Sequence, residues 1–119
     1  MRDLTARAIV GCPVETAMTV IGGCWKLTLI QALIDSNVPL RYSELRDKAG
    51  EISDRTLTRS LRELESDGIV VRTAYAEVPP RVEYELTDIG RSLAPIISAI
   101  QTWGDEWLHS YSKLSSPLI

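Results

Sequence analysis

The stretch Ile52–Arg72 reads ISDRTLTRSLRELESDGIVVR. Leu57, Leu61 and Leu64 stand at i, i+4 and i+7, a narrow apolar stripe that predicts an amphipathic helix lying on a core. Ser53 is a favourable N-cap and Asp54 suits the positive end of the helix macrodipole. At about 100° per residue, Arg55, Arg59 and Arg62 fall opposite the leucines, with Ser66 behind them and Thr56, Thr58 and Ser60 flanking. The acids Glu63 and Glu65 come in the second half of the helix, past the expected contact end. Asp67-Gly68 predicts the stop, because glycine tolerates the left-handed C′ position, and Ile69-Val70-Val71 resumes as strand. Leucines inward, three arginines outward and a strand at once afterwards fit a recognition helix entering a winged hairpin. Solvated arginines on an ordinary surface helix fit the same pattern, so the neighbouring segments decide.

On the C-terminal side, strands are expected at Ile69–Tyr75 and Val82–Leu86, separated by Ala76-Glu77-Val78-Pro79-Pro80-Arg81. A Pro-Pro pair between two β-rich runs makes a stiff, extended wing rather than a tight hairpin. Thr87-Asp88 caps a last helical stretch to about Tyr111, with Ile89, Leu93, Ile96, Ile97, Ile100, Trp103, Trp107 and Leu108 at helical spacing. Pro95 inside it predicts a kink or break. On the N-terminal side, Ser43-Glu44-Leu45-Arg46 starts a compact helix that Gly50 ends, preceded by a stub strand at Leu40-Arg41-Tyr42 and a turn at Asn37–Pro39. A longer helix runs from Trp25 to about Asp35. Pro13 suits the first turn of an earlier helix, with Cys12 at its cap and Val14, Ala17, Met18 and Ile21 as its apolar face. Residues 1–11 form an arm with little to anchor it, residues 12–111 a single domain and residues 112–119 a tail. The predicted fold is mainly α with a small antiparallel β-wing: a winged helix-turn-helix with an additional C-terminal helix. In that arrangement the Ser43 helix crosses the DNA backbone and the Ser53 helix enters the major groove.

Arginine makes bidentate contacts to guanine O6 and N7. Arg55, nearest the helix start, is expected to reach bases, Arg59 bases or phosphate, and Arg62 phosphate. Ser43, with the amides at its helix start, can hold a phosphate, and Arg81 in the wing can reach the adjacent backbone or minor groove. Net charge is −3 over the chain, which argues against a generally basic protein. Between Arg41 and Arg81, however, eight Lys/Arg balance eight Asp/Glu, so a local basic face is permitted and DNA affinity should be strongly salt-dependent.

Other classes fit poorly. The one histidine, His109, lies near the tail, and two cysteines twelve residues apart do not make a metal set. Gly22-Gly23 lacks the Lys-Ser/Thr companion of a phosphate loop, so neither enzyme, cofactor nor metal is expected. The absence of Phe removes the usual stacking platforms of single-stranded RNA readers. The longest apolar candidate, Ala17–Ile34, is interrupted by Gly22-Gly23, Lys26 and Gln31, so no membrane span is expected. Nor can the short, charged segment before Cys12 act as a signal-peptide core, and two cysteines without one suggest free thiols in a reducing cytoplasm.

The chain resembles the HxlR-type winged-helix transcriptional regulators of bacteria. The resemblance runs from Cys12-Pro13-Val14-Glu15 through Ile21-Gly22-Gly23, Trp25-Lys26-Leu27 and Leu40-Arg41-Tyr42-Ser43-Glu44-Leu45. It continues through Leu61-Arg62-Glu63-Leu64-Glu65, Val78-Pro79-Pro80-Arg81-Val82-Glu83-Tyr84 and Gly90-Arg91-Ser92-Leu93. The wing following the Leu-Arg-Glu-Leu-Glu helix is the specific combination; each piece alone is weak. The resemblance implies a homodimer on an operator near a promoter, and in several members a response to electrophiles or oxidants through an N-terminal cysteine, here Cys12. The family usually carries Lys or Arg where this chain has Cys24, a departure that removes a charge and adds a thiol.

Two readings of the residues themselves bear on these implications. Ile96, Ile100, Trp103 and Trp107 offer more apolar surface than a small winged helix needs, so they either form a dimer interface or cover the domain's own core. A dimer would place its recognition helices about 34 Å apart, on an inverted repeat. Cys12 at a helix N-cap has amide hydrogens and the positive dipole end beside its sulfur, which favours a thiolate, while Glu15 opposes it. Cys24 also precedes a helix; both thiols are otherwise small, inert residues. Partners to expect are therefore double-stranded DNA, a second copy, and a small oxidant, electrophile or aromatic effector. The competing reading is a winged-helix module for protein–protein or small-ligand binding without DNA recognition.

Overall fold

The computed structural model describes residues 1–8, 11–23 and 25–114. Its elements are α1 (Asp3–Ala8), α2 (Pro13–Ile21), α3 (Lys26–Ser36), β1 (Leu40–Arg41), α4 (Tyr42–Ala49), α5 (Asp54–Ser66), β2 (Val70–Tyr75), β3 (Arg81–Leu86), α6 (Asp88–Arg91) and α7 (Ala94–Leu114). The mainly α fold with a β-wing is the one the sequence predicts.

The leucine stripe organises the core. Leu57 and Leu64 have no solvent exposure and Leu61 has 1%. They pack in one cluster with Leu29, Ile30 and Leu33 of α3, Leu45 of α4, and Val70, Tyr84 and Leu86 of the sheet. The helix starts where expected, with the Ser53 hydroxyl accepting from the Thr56 amide at 3.1 Å. It stops in a Schellman arrangement: Ile69 N donates to Leu64 O at 2.9 Å and Gly68 N to Glu65 O at 3.0 Å. Gly68 has φ +77°, a conformation costly for any residue with a Cβ. Chain reversal at this point delivers β2 directly alongside β3.

The sheet has order β1-β3-β2, antiparallel throughout. Leu40 faces Tyr84, Val70 faces Leu86 and Tyr75 faces Arg81, leaving residues 76–80 as the wing. The fourth-helix start differs slightly from expectation. Tyr42 begins α4, with Arg41 as the capping residue whose amide donates to Glu44 Oε1 at 2.9 Å, so Ser43 sits one position inside the helix.

Two terminal regions depart from expectation more substantially. The arm is anchored: Arg2 and Thr5 both bond the Asp67 carboxylate at the end of α5. The expected apolar face of α2 is largely in solvent, with Val14 70% and Met18 54% exposed and Ile21 alone buried. At the other end the predicted break occurs just ahead of Pro95, between α6 and α7, so the proline occupies the first turn of α7 where it costs no hydrogen bond. That helix runs on to Leu114, past its expected end near Tyr111. Beyond Ile97, which is buried, its apolar residues project from the body. The radius of gyration is accordingly 16.5 Å, against about 13.5 Å for a compact chain of this length.

Gly90 locks α6 onto the turn after α5. A Cβ there would overlap the Ile69 carbonyl and lie 3.1 Å from Leu86 Cδ2, while that same carbonyl accepts from Thr87 N at 3.0 Å. Gly90→Ala is therefore expected to destabilise the fold by about 1–3 kcal/mol through overpacking, measured as a lower urea midpoint with unchanged slope.

Candidate nucleic-acid interface

The outward face of α5 is built as the spacing predicts. Arg55, Arg59 and Arg62 are all exposed, and with Asp54, Thr58, Glu63, Ser66 and Arg2 they line an open groove along the helix. Among the described residues none of the three has an ion pair or a side-chain hydrogen bond. Three uncommitted guanidinium groups on one helix face are free to meet an anion without breaking internal contacts. Flanking residues behave differently. Thr56 is half-buried and its hydroxyl accepts from Ser53 Oγ at 2.9 Å, so both belong to the cap. Thr58 is half-buried against the Tyr42 hydroxyl at 3.3 Å. Ser60, expected beside the arginine face, is buried at 6% exposure, because it lies on the flank of α5 that meets Gly22, Trp25 and Lys26 at the connection between α2 and α3.

Tyr42 carries a contact that the pattern of apolar and charged residues did not reveal. Its hydroxyl reaches Asp54 Oδ1 at 3.0 Å, and Arg46 reaches the same oxygen at 3.4 Å. These contacts tie the start of α4 to the leading end of α5 and fix the angle of the helix-turn-helix. Arg72 is a second residue missed: exposed on β2, it shares a concavity with Arg62, Tyr42, Thr58, Glu65 and Tyr84. Strand alternation puts such a residue on one face of β2 without saying which helix that face meets. Ser43 is exposed on the first turn of α4.

Arg81 is committed within the wing. It pairs with Glu77 at 3.0 Å and Glu83 at 2.9 Å, and its guanidinium lies 3.9 Å from the Tyr75 ring centroid. The hydrogen-bonded Glu77 carboxylate raises its already high pKa further. A phosphate contact from Arg81 would have to displace one of these carboxylates.

Cys12 is exposed and caps α2, its sulfur accepting from Glu15 N at 3.4 Å. Cys24 lies outside the described residues. On α7, Ile96, Ile100, Trp103 and Trp107 are 42–66% exposed, and Trp107 stacks on Tyr111 with centroids 4.9 Å apart. Among the described residues no group of three His, Cys, Asp or Glu is placed to hold a metal ion. Among the described residues no single helix is long and apolar enough to cross a membrane.

Behind the arginine face, Asp67 is 1% exposed at its side chain and ion-paired to Arg2 at 2.7 Å. Burial works to raise its pKa, but the hydrogen bonds from Arg2 and Thr5 outweigh it and hold the carboxyl below its ordinary value. A carboxylate depressed in the folded state contributes stability that is present above the unfolded value, about 3.9, and is lost as pH falls through the folded value. Wild type is expected to lose urea resistance on acidification below about pH 4. Asp67→Asn, weaker at neutral pH, should show a flatter acid limb in the same titration.

A helix with free arginines, braced by a second helix and followed by a two-stranded wing that β1 completes into a three-stranded sheet, defines a winged helix-turn-helix DNA-binding protein. The chain belongs to the HxlR-like helix-turn-helix family, whose model matches residues 20–112. It is 43% identical over 114 residues to the HTH-type transcriptional regulator YdeP of Bacillus subtilis, covering 96% of this chain and 88% of that protein. It is 50% identical over 95 residues to the HTH-type transcriptional regulator YybR of the same organism, covering 80% and 74%. Among solved structures it is similar to the redox regulator HypR in its reduced form, with TM-score 0.76 and 47% identity over 84% of this chain and all of that one. The oxidized form of HypR matches with TM-score 0.72 and 48% identity over 80% of this chain and 96% of that one. The fold and these relatives make the chain a DNA-binding transcriptional regulator, a class that works by binding rather than catalysis.

Proposed function

We propose that the chain is a cytoplasmic, homodimeric regulator that binds an inverted-repeat operator and answers oxidants or electrophiles through Cys12. The observation that carries the DNA reading is the set of free guanidinium groups of Arg55, Arg59 and Arg62 on the outer face of α5. Arg55 and Arg59 read bases; Arg62, Ser43, the cap residues Ser53 and Thr56, and Thr58 serve the adjoining backbone, and Arg81 follows once it exchanges a wing carboxylate for phosphate. The unit that does this is the single domain of residues 12–111, together with the arm that Arg2 and Thr5 fasten to Asp67.

Dimerisation is supported by Ile96, Ile100, Trp103 and Trp107, a surface that a monomer leaves in water. Thiol sensing is supported by the exposed, amide-capped Cys12 sulfur and by similarity to a regulator solved in oxidized and reduced forms. A peroxide would transfer one oxygen to the thiolate, giving a sulfenate. Condensation with a second thiol, Cys24 or one on the partner subunit, would then form a disulfide and release water or hydroxide.

The test is binding to the duplex flanking this protein's own gene, reduced and oxidised, against a scrambled duplex, with light scattering on the same sample. Specific binding by a dimer, changed by peroxide and restored by thiol, is the expected result. Specific binding indifferent to peroxide removes the sensor, and a monomer at micromolar concentration removes the dimer. The absence of specific binding in both states leaves a protein- or ligand-binding module.

A further inference from the structure

The Arg2 side chain, just ahead of α1, joins the last turn of α2 to the end of α5. Nε and Nη2 donate to Asp67 Oδ2 at 2.9 and 2.7 Å, and Nη1 donates to Glu63 Oε2 at 3.0 Å. Nη2 also donates to the Thr19 carbonyl at 2.8 Å, in the last turn of α2, where carbonyls lack a donor within the helix. Thr5 adds a bond to Asp67 at 2.9 Å, and Lys26, at the start of α3, reaches the other Glu63 oxygen at 3.2 Å. Lys26, Glu63, Arg2 and Asp67 thus form a continuous run of alternating charge, with side-chain exposure of 8%, 29%, 15% and 1% respectively.

We propose that Arg2 is a positioning residue for the recognition helix: through Glu63 and Asp67 it sets the rotation of α5 relative to α2. The proposal rests on the DNA-binding reading above for its functional consequence. The leucine stripe alone does not fix that rotation, because apolar contact is non-directional and the stripe is a narrow line of three residues. A guanidinium bonded to two carboxylates one turn apart is directional. Base readout needs groups held to about 0.5 Å, and Arg59 and Arg62 stand on the same turns of α5 as Glu63. The cluster also makes α2, which begins at the Cys12 cap, a rigid neighbour of α5, so a displacement of α2 is carried to the arginine face.

The experiment compares full-length wild type with Arg2→Ala and Arg2→Lys, any tag being placed at the C-terminus. Amide hydrogen exchange and binding to the flanking duplex across a salt series are read on each. In Arg2→Ala, exchange at the end of α5 and the end of α2 is expected to rise by about 10-fold while α4 and β3 amides keep wild-type rates. Affinity should fall by about 10-fold with an unchanged salt slope, because Arg2 neutralises protein carboxylates rather than phosphates, and Arg2→Lys should recover part of both effects. Unchanged local exchange would overturn the proposal. So would a rise spread evenly over the core, which makes Arg2 a stability residue only, or a slope shallower by about 1, which makes it a phosphate contact. If wild type does not distinguish the flanking duplex from a scrambled one, the DNA reading fails, and the exchange pattern alone still decides whether Arg2 sets the helix.

Discussion

A chain carrying alanine at both Arg55 and Arg59 is expected to bind its operator at least about 100-fold more weakly and to lose most of its preference over scrambled DNA, since each bidentate base contact contributes about 1–3 kcal/mol. The two side chains leave no internal partner behind, because neither has an ion pair or a side-chain hydrogen bond among the described residues. Stability should therefore stay within about 0.5 kcal/mol of wild type, which separates loss of recognition from loss of fold. Anisotropy titrations over a salt series, with a urea midpoint on the same preparation, measure both. Arg62→Ala provides the contrast: a weakening nearly uniform across sequences, with a salt slope shallower by about 1. If the double variant bound like wild type, Arg72, on the neighbouring sheet face, would become the next residue to replace.

Leu61→Ala attacks the opposite side of the same helix and should cost about 2–5 kcal/mol. Leu61 is 1% exposed in the middle of the stripe, between Leu57 and Leu64, which are fully buried. The cavity would open where α5 meets α3, α4 and the sheet, and neighbours held by two flanking leucines have little room to collapse into it. A cost of this size is a large fraction of the 5–15 kcal/mol typical of a domain and corresponds to a Tm lowered by roughly 10 °C or more. Calorimetry at fixed protein concentration checks it, because self-association would otherwise make Tm concentration-dependent. Operator affinity measured well below that Tm should fall much less than in the arginine variant. The outcome that would sink the argument is a stability within about 1 kcal/mol of wild type.

These two substitutions show how one 13-residue helix carries fold and recognition on separate faces. A third side, at Glu63 and Asp67, faces Arg2 and α2.

Features that depend on local spacing are legible in the order of the residues. The helix Asp54–Ser66, its Ser53 cap, its Gly68 stop, the two wing strands and the outward arginines follow from 3.6-residue and two-residue periods and from residues with strong turn chemistry. The resemblance of the motifs extended this to the family. Tertiary structure alone decided which long-range partners those elements found. Nothing in the local pattern joins Arg2 to Asp67, 65 residues away, or Tyr42 to Asp54. For the same reason the arm read as unanchored and Ser60 as a flank residue beside the arginines, although the connection between α2 and α3 covers that flank and buries it. The apolar faces of α2 and α7 were legible as apolar, but only packing could show that this domain leaves them in water: amphipathicity says that a face seeks cover, and the arrangement of the other helices decides whether one chain can provide it.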